Sequence, residues 1–107
     1  MGMIDRAMRI VARSTLVAFA ERHSAAKPSL THWQTVTRAA GWASVADVQA
    51  AFSKAKALNG ERVRFEVAGG DFRMIVAFDF RRAIAFVKFI GTHAEYDRIH
   101  ALTVSRF

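Results

Sequence analysis

The sequence predicts an α+β fold in which N-terminal helices pack on a small antiparallel sheet and a short C-terminal helix follows. Three observations predict it: apolar residues recur at helical spacing in the first half, alternate with polar residues in the second, and a capping sequence stands near the end. With 107 residues, of which 52% are hydrophobic, the chain can build one core. We expect residues 1–7 to be an extension and residues 8–107 to form a single domain.

The first half of the chain predicts one short strand and three helices. Residues 8–11 alternate weakly, which indicates the strand. The apolar spacing predicts a first helix over about residues 13–23, and Pro28 suits the first turn of a second helix that Gly41 ends. Ser44, three residues before an aspartate, indicates the start of a third.

The second half predicts a meander of three antiparallel strands. Residues 62–67 alternate between apolar and charged side chains, and a turn at residues 69–71 leads into a second alternating run, 72–80. Residues 83–90 are apolar on both faces except at Lys88, which is typical of a central strand.

The composition restricts the partners and the compartment. The chain has 16 Lys and Arg against 9 Asp and Glu, a formal net charge of +7, so nucleic acid or the ribosome is the first partner class, with solubility as the alternative. Without cysteine it forms no disulfide, and we expect a cytoplasmic location. No segment approaches the ~20 apolar residues of a membrane span, so no membrane partner is expected.

Metal and cofactor sites are not predicted. The four histidines show no HxxxH spacing, and the nine carboxylates are scattered among basic residues. We therefore expect no metal ligands and no cofactor. The histidines are His23, His32, His93 and His100.

A capping box predicts the last helix. Thr92 and Glu95 have the spacing of that motif, which makes His93 the first helical residue and places Tyr96 one turn further on. A neutral imidazole at His93 can accept a proton, and Tyr96 can donate one to a leaving oxygen or stack on a base. Packing of both rings in a purely structural role is the alternative.

Three cations accompany these proton carriers, namely Arg64, Arg73 and Lys88. The set suits metal-independent RNA cleavage, in which the RNA's own 2'-OH attacks the adjacent phosphate and the enzyme supplies a base, an acid and positive charge. Arginine binds phosphate oxygens with two parallel hydrogen bonds and keeps its proton.

Structural roles are open for the same cations. Lys88, in an apolar run, requires an anion or a wet groove, and pairing with Asp79 or Glu66 across the sheet would satisfy it. Arg73 has a similar alternative in Asp71.

Four arginines are candidate RNA contacts outside the catalytic group. Arg62 and Arg64 lie on a strand, and Arg81 and Arg82 form a charged corner between strands. The alternative for each is a solvated face or hairpin tip.

Two motifs give the chain a family resemblance. The segment GTHAEYD at residues 91–97 and the segment from Phe65 to Arg73, together with RIVA at residues 9–12, resemble the HigB toxins of bacterial toxin–antitoxin pairs. The resemblance implies a RelE-like fold, mRNA interferase activity on messages translated by the 70S ribosome, and neutralisation by a helix-turn-helix antitoxin.

The resemblance also assigns site residues. The family's strand arginine falls on Arg73, its second strand cation on Lys88, and its histidine and tyrosine on His93 and Tyr96. Arg64 stands where members often carry a non-basic residue. Two other hypotheses remain open at this point: a non-catalytic basic module that binds RNA or the ribosome, and a relic kept for its antitoxin contact.

Overall fold

The computed structural model describes residues 7–107, so the expected extension at 1–7 lies, apart from Ala7, outside the described residues. Four α-helices and five strands follow one another in the described part. None of these helices has the length and apolar content that crossing a membrane requires. The helices are α1 (Arg13–Arg22), α2 (Lys27–Ala39), α3 (Val45–Ala51) and α4 (His93–Tyr96); the strands are β1 (Arg9–Val11), β2 (Lys56–Ala57), β3 (Arg62–Val67), β4 (Phe72–Asp79) and β5 (Ile84–Thr92).

The five strands form one sheet in the order β1-β5-β4-β3-β2. The predicted meander of β3, β4 and β5 is antiparallel, but β1 pairs with β5 in parallel. The sheet is therefore mixed. Strands β1 and β2 form its two edges, and three helices lie between them in the chain. The α+β class is confirmed.

At two helix ends the residue predicted to end or cap the helix does not do so. Helix α2 ends before Gly41, because Ala40 already has extended backbone angles (φ −83°, ψ 145°). Helix α3 begins after Ser44, whose side chain makes no capping hydrogen bond. The carboxylate of Asp47 instead accepts a hydrogen bond of 2.8 Å from the N–H of Ala43.

The hydrophobic core lies between the helices and one face of the sheet. Each of the first three helices contributes buried apolar side chains, and burying one such side chain stabilises the fold by about 1.5–3 kcal/mol. We call the opposite face of the sheet the outer face. The helical contributions are Leu16 and Phe19 from α1, Leu30 and Trp33 from α2, and Val48 from α3.

Candidate functional site

The outer face carries three rows of residues that lie opposite one another on β3, β4 and β5. Antiparallel partners in such a row have Cβ atoms about 5 Å apart, so their side chains are neighbours. Each row contains one arginine from the predicted set. The rows are Arg62–Ala77–Phe86, Arg64–Ile75–Phe89 and Glu66–Arg73–Gly91.

Lys88 is the extra residue of a β-bulge in β5. The register passes from Ile75↔Phe89 to Val76↔Val87, which leaves Lys88 without a partner on β4. Bulges of this kind redirect a side chain. Its Nζ lies 3.5 Å from the hydroxyl oxygen of Ser105 and makes no ion pair within residues 7–107, so neither carboxylate pairing considered from the sequence is present.

Tyr96 brings two of the predicted arginines together. The guanidinium carbon of Arg73 lies 5.4 Å from the centre of its ring, and that of Arg64 lies 5.8 Å from it. The ring centroid of Phe89 lies 6.3 Å from that of Tyr96. The contacts of Arg64 and Arg73 with Tyr96 are both within cation–π distance, so two positive charges converge on one phenol.

The two arginines lack anionic partners in the fold. The Nε atoms of Arg64 and Arg73 are buried and have no hydrogen-bond partner in the described chain. Glu66 lies directly opposite Arg73, yet neither arginine forms an ion pair within the part of the chain described. Native proteins seldom leave buried N–H groups unpaired, and the cost is on the order of 1–3 kcal/mol each. The arrangement therefore favours a role for these cations beyond stability.

A complete capping box fixes α4 against the sheet. The N–H of Thr92 donates to Oε1 of Glu95 at 2.8 Å, and the N–H of Glu95 donates to the hydroxyl of Thr92 at 3.1 Å. The first of these bonds is the main reason that the pKa of Glu95 lies below its usual value, and the charges of Arg106 and His23 act in the same direction. The capping box predicted from the sequence is thus present.

Gly91 allows α4 to approach this closely. A Cβ atom there would lie 2.8 Å from Oε1 of Glu95 and 2.8 Å from a ring carbon of Phe89. The missing side chain thus leaves room for α4, and through α4 for the position of Tyr96.

His93 is the first residue of α4, as predicted. Its backbone N–H donates to the carbonyl of Asp71, and its side chain is 55% exposed. Its Nδ1 lies 3.4 Å from a carboxylate oxygen of Asp97. When Nδ1 carries the proton towards that carboxylate, the lone pair of the neutral ring is on Nε2. His93 and Tyr96 are three residues apart, so they are neighbours on one side of the helix.

The predicted catalytic residues thus lie on one side of the molecule, but at different distances from one another. Arg73 contacts Tyr96 directly, and His93 is one turn from it on α4. Lys88 precedes Gly91, the partner of Arg73, by three residues on β5, which is about 10 Å at strand rise.

Arg62 has a structural contact that the sequence did not predict. Its Nη1 donates to the carbonyl of Ala101 at 3.0 Å and to that of Val104 at 2.8 Å. These contacts favour a structural role, and RNA binding by Arg62 stays a prediction.

Arg81 and Arg82 lie in the turn between β4 and β5, and both are exposed. Arg82 is 3.7 Å from the carboxylate of Asp79. Asp79 lies six positions after Arg73 on β4, a distance of about 20 Å. Any RNA contact at this turn would thus be separate from the group around Tyr96, and it stays a prediction.

Three residues near the group around Tyr96 were not predicted from the sequence. Phe89 supports Tyr96, Asp97 contacts His93, and the guanidinium carbon of Arg106 lies 5.1 Å from the Phe89 ring centre. The i,i+4 spacing of His93 and Asp97 was a visible signal. Arg106 lies outside any regular element and 17 positions from Phe89, so no periodicity indicates their contact.

Two of the remaining histidines, His23 and His32, pack against aromatic rings. His23 lies 4.5 Å from Phe19 and 5.0 Å from Phe72, ring centre to ring centre, and His32 lies against Phe52. In the described residues, no three His, Asp or Glu side chains gather in a way that would hold a metal ion.

Comparison with protein-family models matches most of the chain to one family. Residues 26–99 match the HigB toxin model, described as the RelE-like toxic component of a toxin–antitoxin system. The matched span runs from the start of α2 past α4 and contains Arg64, Arg73 and Tyr96. A comparison with curated proteins finds no match. Because the family match covers more than half of the chain, this chain belongs to the HigB toxins, the RelE-like toxic components of toxin–antitoxin systems.

Proposed function

We propose that this toxin cleaves mRNA on translating ribosomes through attack of the RNA's 2'-OH on the adjacent phosphate. The observation that carries the proposal is the convergence of Arg64 and Arg73, without carboxylate partners in the described residues, on Tyr96. Two unneutralised guanidinium groups beside a proton donor suit a reaction that develops negative charge on phosphate oxygens.

The reaction needs one proton removed and one supplied. The 2'-oxygen forms a bond to phosphorus as His93 takes its proton at Nε2. The bond from phosphorus to the 5'-oxygen breaks, and the hydroxyl of Tyr96 gives that oxygen a proton. The products are a 2',3'-cyclic phosphate and a free 5'-OH, so no external nucleophile is required.

The arginines stabilise the charge that develops between these steps. Each presents a planar fork that binds two phosphate oxygens at once. Removing one such donor from an active site costs about 3 kcal/mol, or roughly 100-fold in rate. We include Arg64 in this group because its distance to Tyr96 is close to that of Arg73. Family members often carry a non-basic residue at its position.

The antitoxin is the partner that the family implies. A helix-turn-helix domain in that antitoxin, and the 70S ribosome as the place of cleavage, are parts of this proposal. Co-purification of the toxin with the product of the adjacent gene tests the first part. Comparing translated with untranslated message tests the second.

Cleavage in a cell-free translation reaction tests the proposal as a whole. We expect primer extension to show new 5' ends with the parent protein and about 100-fold fewer with Arg73→Ala. Arg38→Ala, which removes one positive charge from the last turn of α2, is the matched control and should leave cleavage unchanged. Intact message with the parent protein would contradict the proposal. Arrested translation without new ends would support the non-catalytic binding module instead.

A further inference from the structure

Residues 98–107, which we call the C-terminal segment, are anchored on the outer face. Arg62 on β3 holds the carbonyls of Ala101 and Val104 through one guanidinium nitrogen. Further along, the N–H of Arg106 donates to the carbonyl of Lys88 on β5 at 2.9 Å. The segment therefore crosses from the β3 side to the β-bulge and is fixed at both places.

The second attachment places another cation beside the group around Tyr96. The guanidinium carbon of Arg106 lies 5.1 Å from the ring centre of Phe89, the residue on which Tyr96 packs. Arg106 is exposed and makes no ion pair within the described chain. Its charge also acts on the carboxyl of Glu95, whose pKa it helps to lower. Arg106 thus faces solvent with its charge unneutralised at the border of the site.

Lys88 lies next to this cation. Lys88 is the bulged residue immediately before Phe89, and its Nζ lies 3.5 Å from the hydroxyl oxygen of Ser105. The backbone positions of Lys88 and Arg73 are about 10 Å apart along the sheet, so Lys88 lies to one side of the phosphate that Arg73 would bind. Lys88 and Arg106 together would meet a different phosphate of the same strand.

We infer that Arg106, held in place by Arg62, binds the RNA backbone next to the scissile phosphate, and that the C-terminal segment forms one wall of the RNA site. This inference rests on the proposed function. The family match ends at residue 99, so family membership assigns no role to Arg106. In this arrangement Arg106 is a binding residue and Arg62 is a positioning residue that acts through the segment.

The cell-free cleavage reaction, with toxin concentration varied, tests the inference. We expect Arg106→Ala to raise the half-saturating toxin concentration about 10-fold, since a charge-assisted contact is lost. Arg106→Lys should restore most of this loss, because it returns the charge. Arg62→Ala should show a similar increase, and the Arg62→Ala/Arg106→Ala double variant should be no worse than the poorer single variant, because both changes remove the same contact. Thermal unfolding of each variant checks that it is folded.

The outcomes separate this inference from the proposed function. If the parent does not cleave, the proposed function fails and the inference fails with it. If the parent cleaves and Arg106→Ala behaves like Arg38→Ala, the inference alone is wrong. Losses that add up in the double variant, or an Arg106→Lys protein as poor as Arg106→Ala, would also overturn it, because the loss would then not come from one shared charge.

Discussion

Arg73 and Tyr96 are 23 residues apart in the chain, and the guanidinium carbon of the first lies 5.4 Å from the ring centre of the second. Two features bring them together. Gly91, the partner of Arg73 on β5, gives α4 room to approach the sheet, and the capping box between Thr92 and Glu95 starts that helix immediately afterwards. The relationship places a phenol and a guanidinium group on one patch of the outer face.

Substitution can separate the contribution of the Tyr96 hydroxyl to cleavage from that of its ring. Tyr96→Phe keeps the aromatic surface on which both arginines lie but removes the hydroxyl that we propose as the proton donor. We expect cleavage to fall by about 100-fold or more, with the melting temperature nearly unchanged, because general acid catalysis contributes roughly 10²–10⁴ in rate. Tyr96→Leu, which removes ring and hydroxyl, is the comparison and should be no more active. Parental cleavage by Tyr96→Phe would show that the ring alone matters.

Arg73 should not be replaceable by lysine. Arg73→Lys keeps one positive charge but replaces the planar fork with a point charge, so we expect at least a 10-fold loss of cleavage in the same reaction. Arg73→Ala should be poorer still, by about 100-fold relative to the parent. A lysine variant that cleaves at the parental rate would mean that charge near the phosphate suffices and that two-point binding does not contribute.

Gly91 is where the site depends most directly on packing. In Gly91→Ala the new Cβ meets Phe89 and Glu95 side-chain atoms at 2.8 Å, so these side chains or the helix that carries Glu95 must shift. We expect the free energy of unfolding in urea to fall by about 1–3 kcal/mol. The control is Gly41→Ala, whose Cβ would have no atom within 4 Å, and it should change stability by less than about 0.5 kcal/mol. Equal stability of the two variants would contradict the close approach of α4.

The strands and helices that depend on local patterns were predictable. The apolar alternation of residues 62–67 and the helical spacing of Leu16 and Phe19 directly reflect which side chains are buried. The parallel direction of β1 was not predictable from its own residues, because a three-residue strand obtains its direction from the edge at which it pairs. The two-residue strand β2 is also too short to produce an alternating pattern.

The candidate site was predictable to the extent that its residues belong to regular elements. Arg64 and Arg73 follow from strand alternation, and His93 and Tyr96 from the capping box. The bulge at Lys88 and the position of the C-terminal segment depend on hydrogen bonds between distant parts of the backbone. Such bonds do not require particular side chains, so no sequence pattern indicates them. For that reason Arg106 is visible only in the folded chain.

The capping box predicts a pH dependence of stability with a definite sign. The pKa of Glu95 lies below its ordinary value of 4.5, mainly because the backbone N–H of Thr92 donates to the carboxylate. A pKa lowered by folding means that the stabilisation is fully present above the unfolded pKa and is lost as the pH falls through the folded one. The parent should therefore exceed Glu95→Gln in unfolding free energy at about pH 6 by a few tenths of a kcal/mol, since the group is exposed, and this advantage should shrink by about pH 3. Urea unfolding of both proteins at the two pH values measures it. An advantage that stays constant, or that grows in acid, would show that the carboxylate does not cap α4.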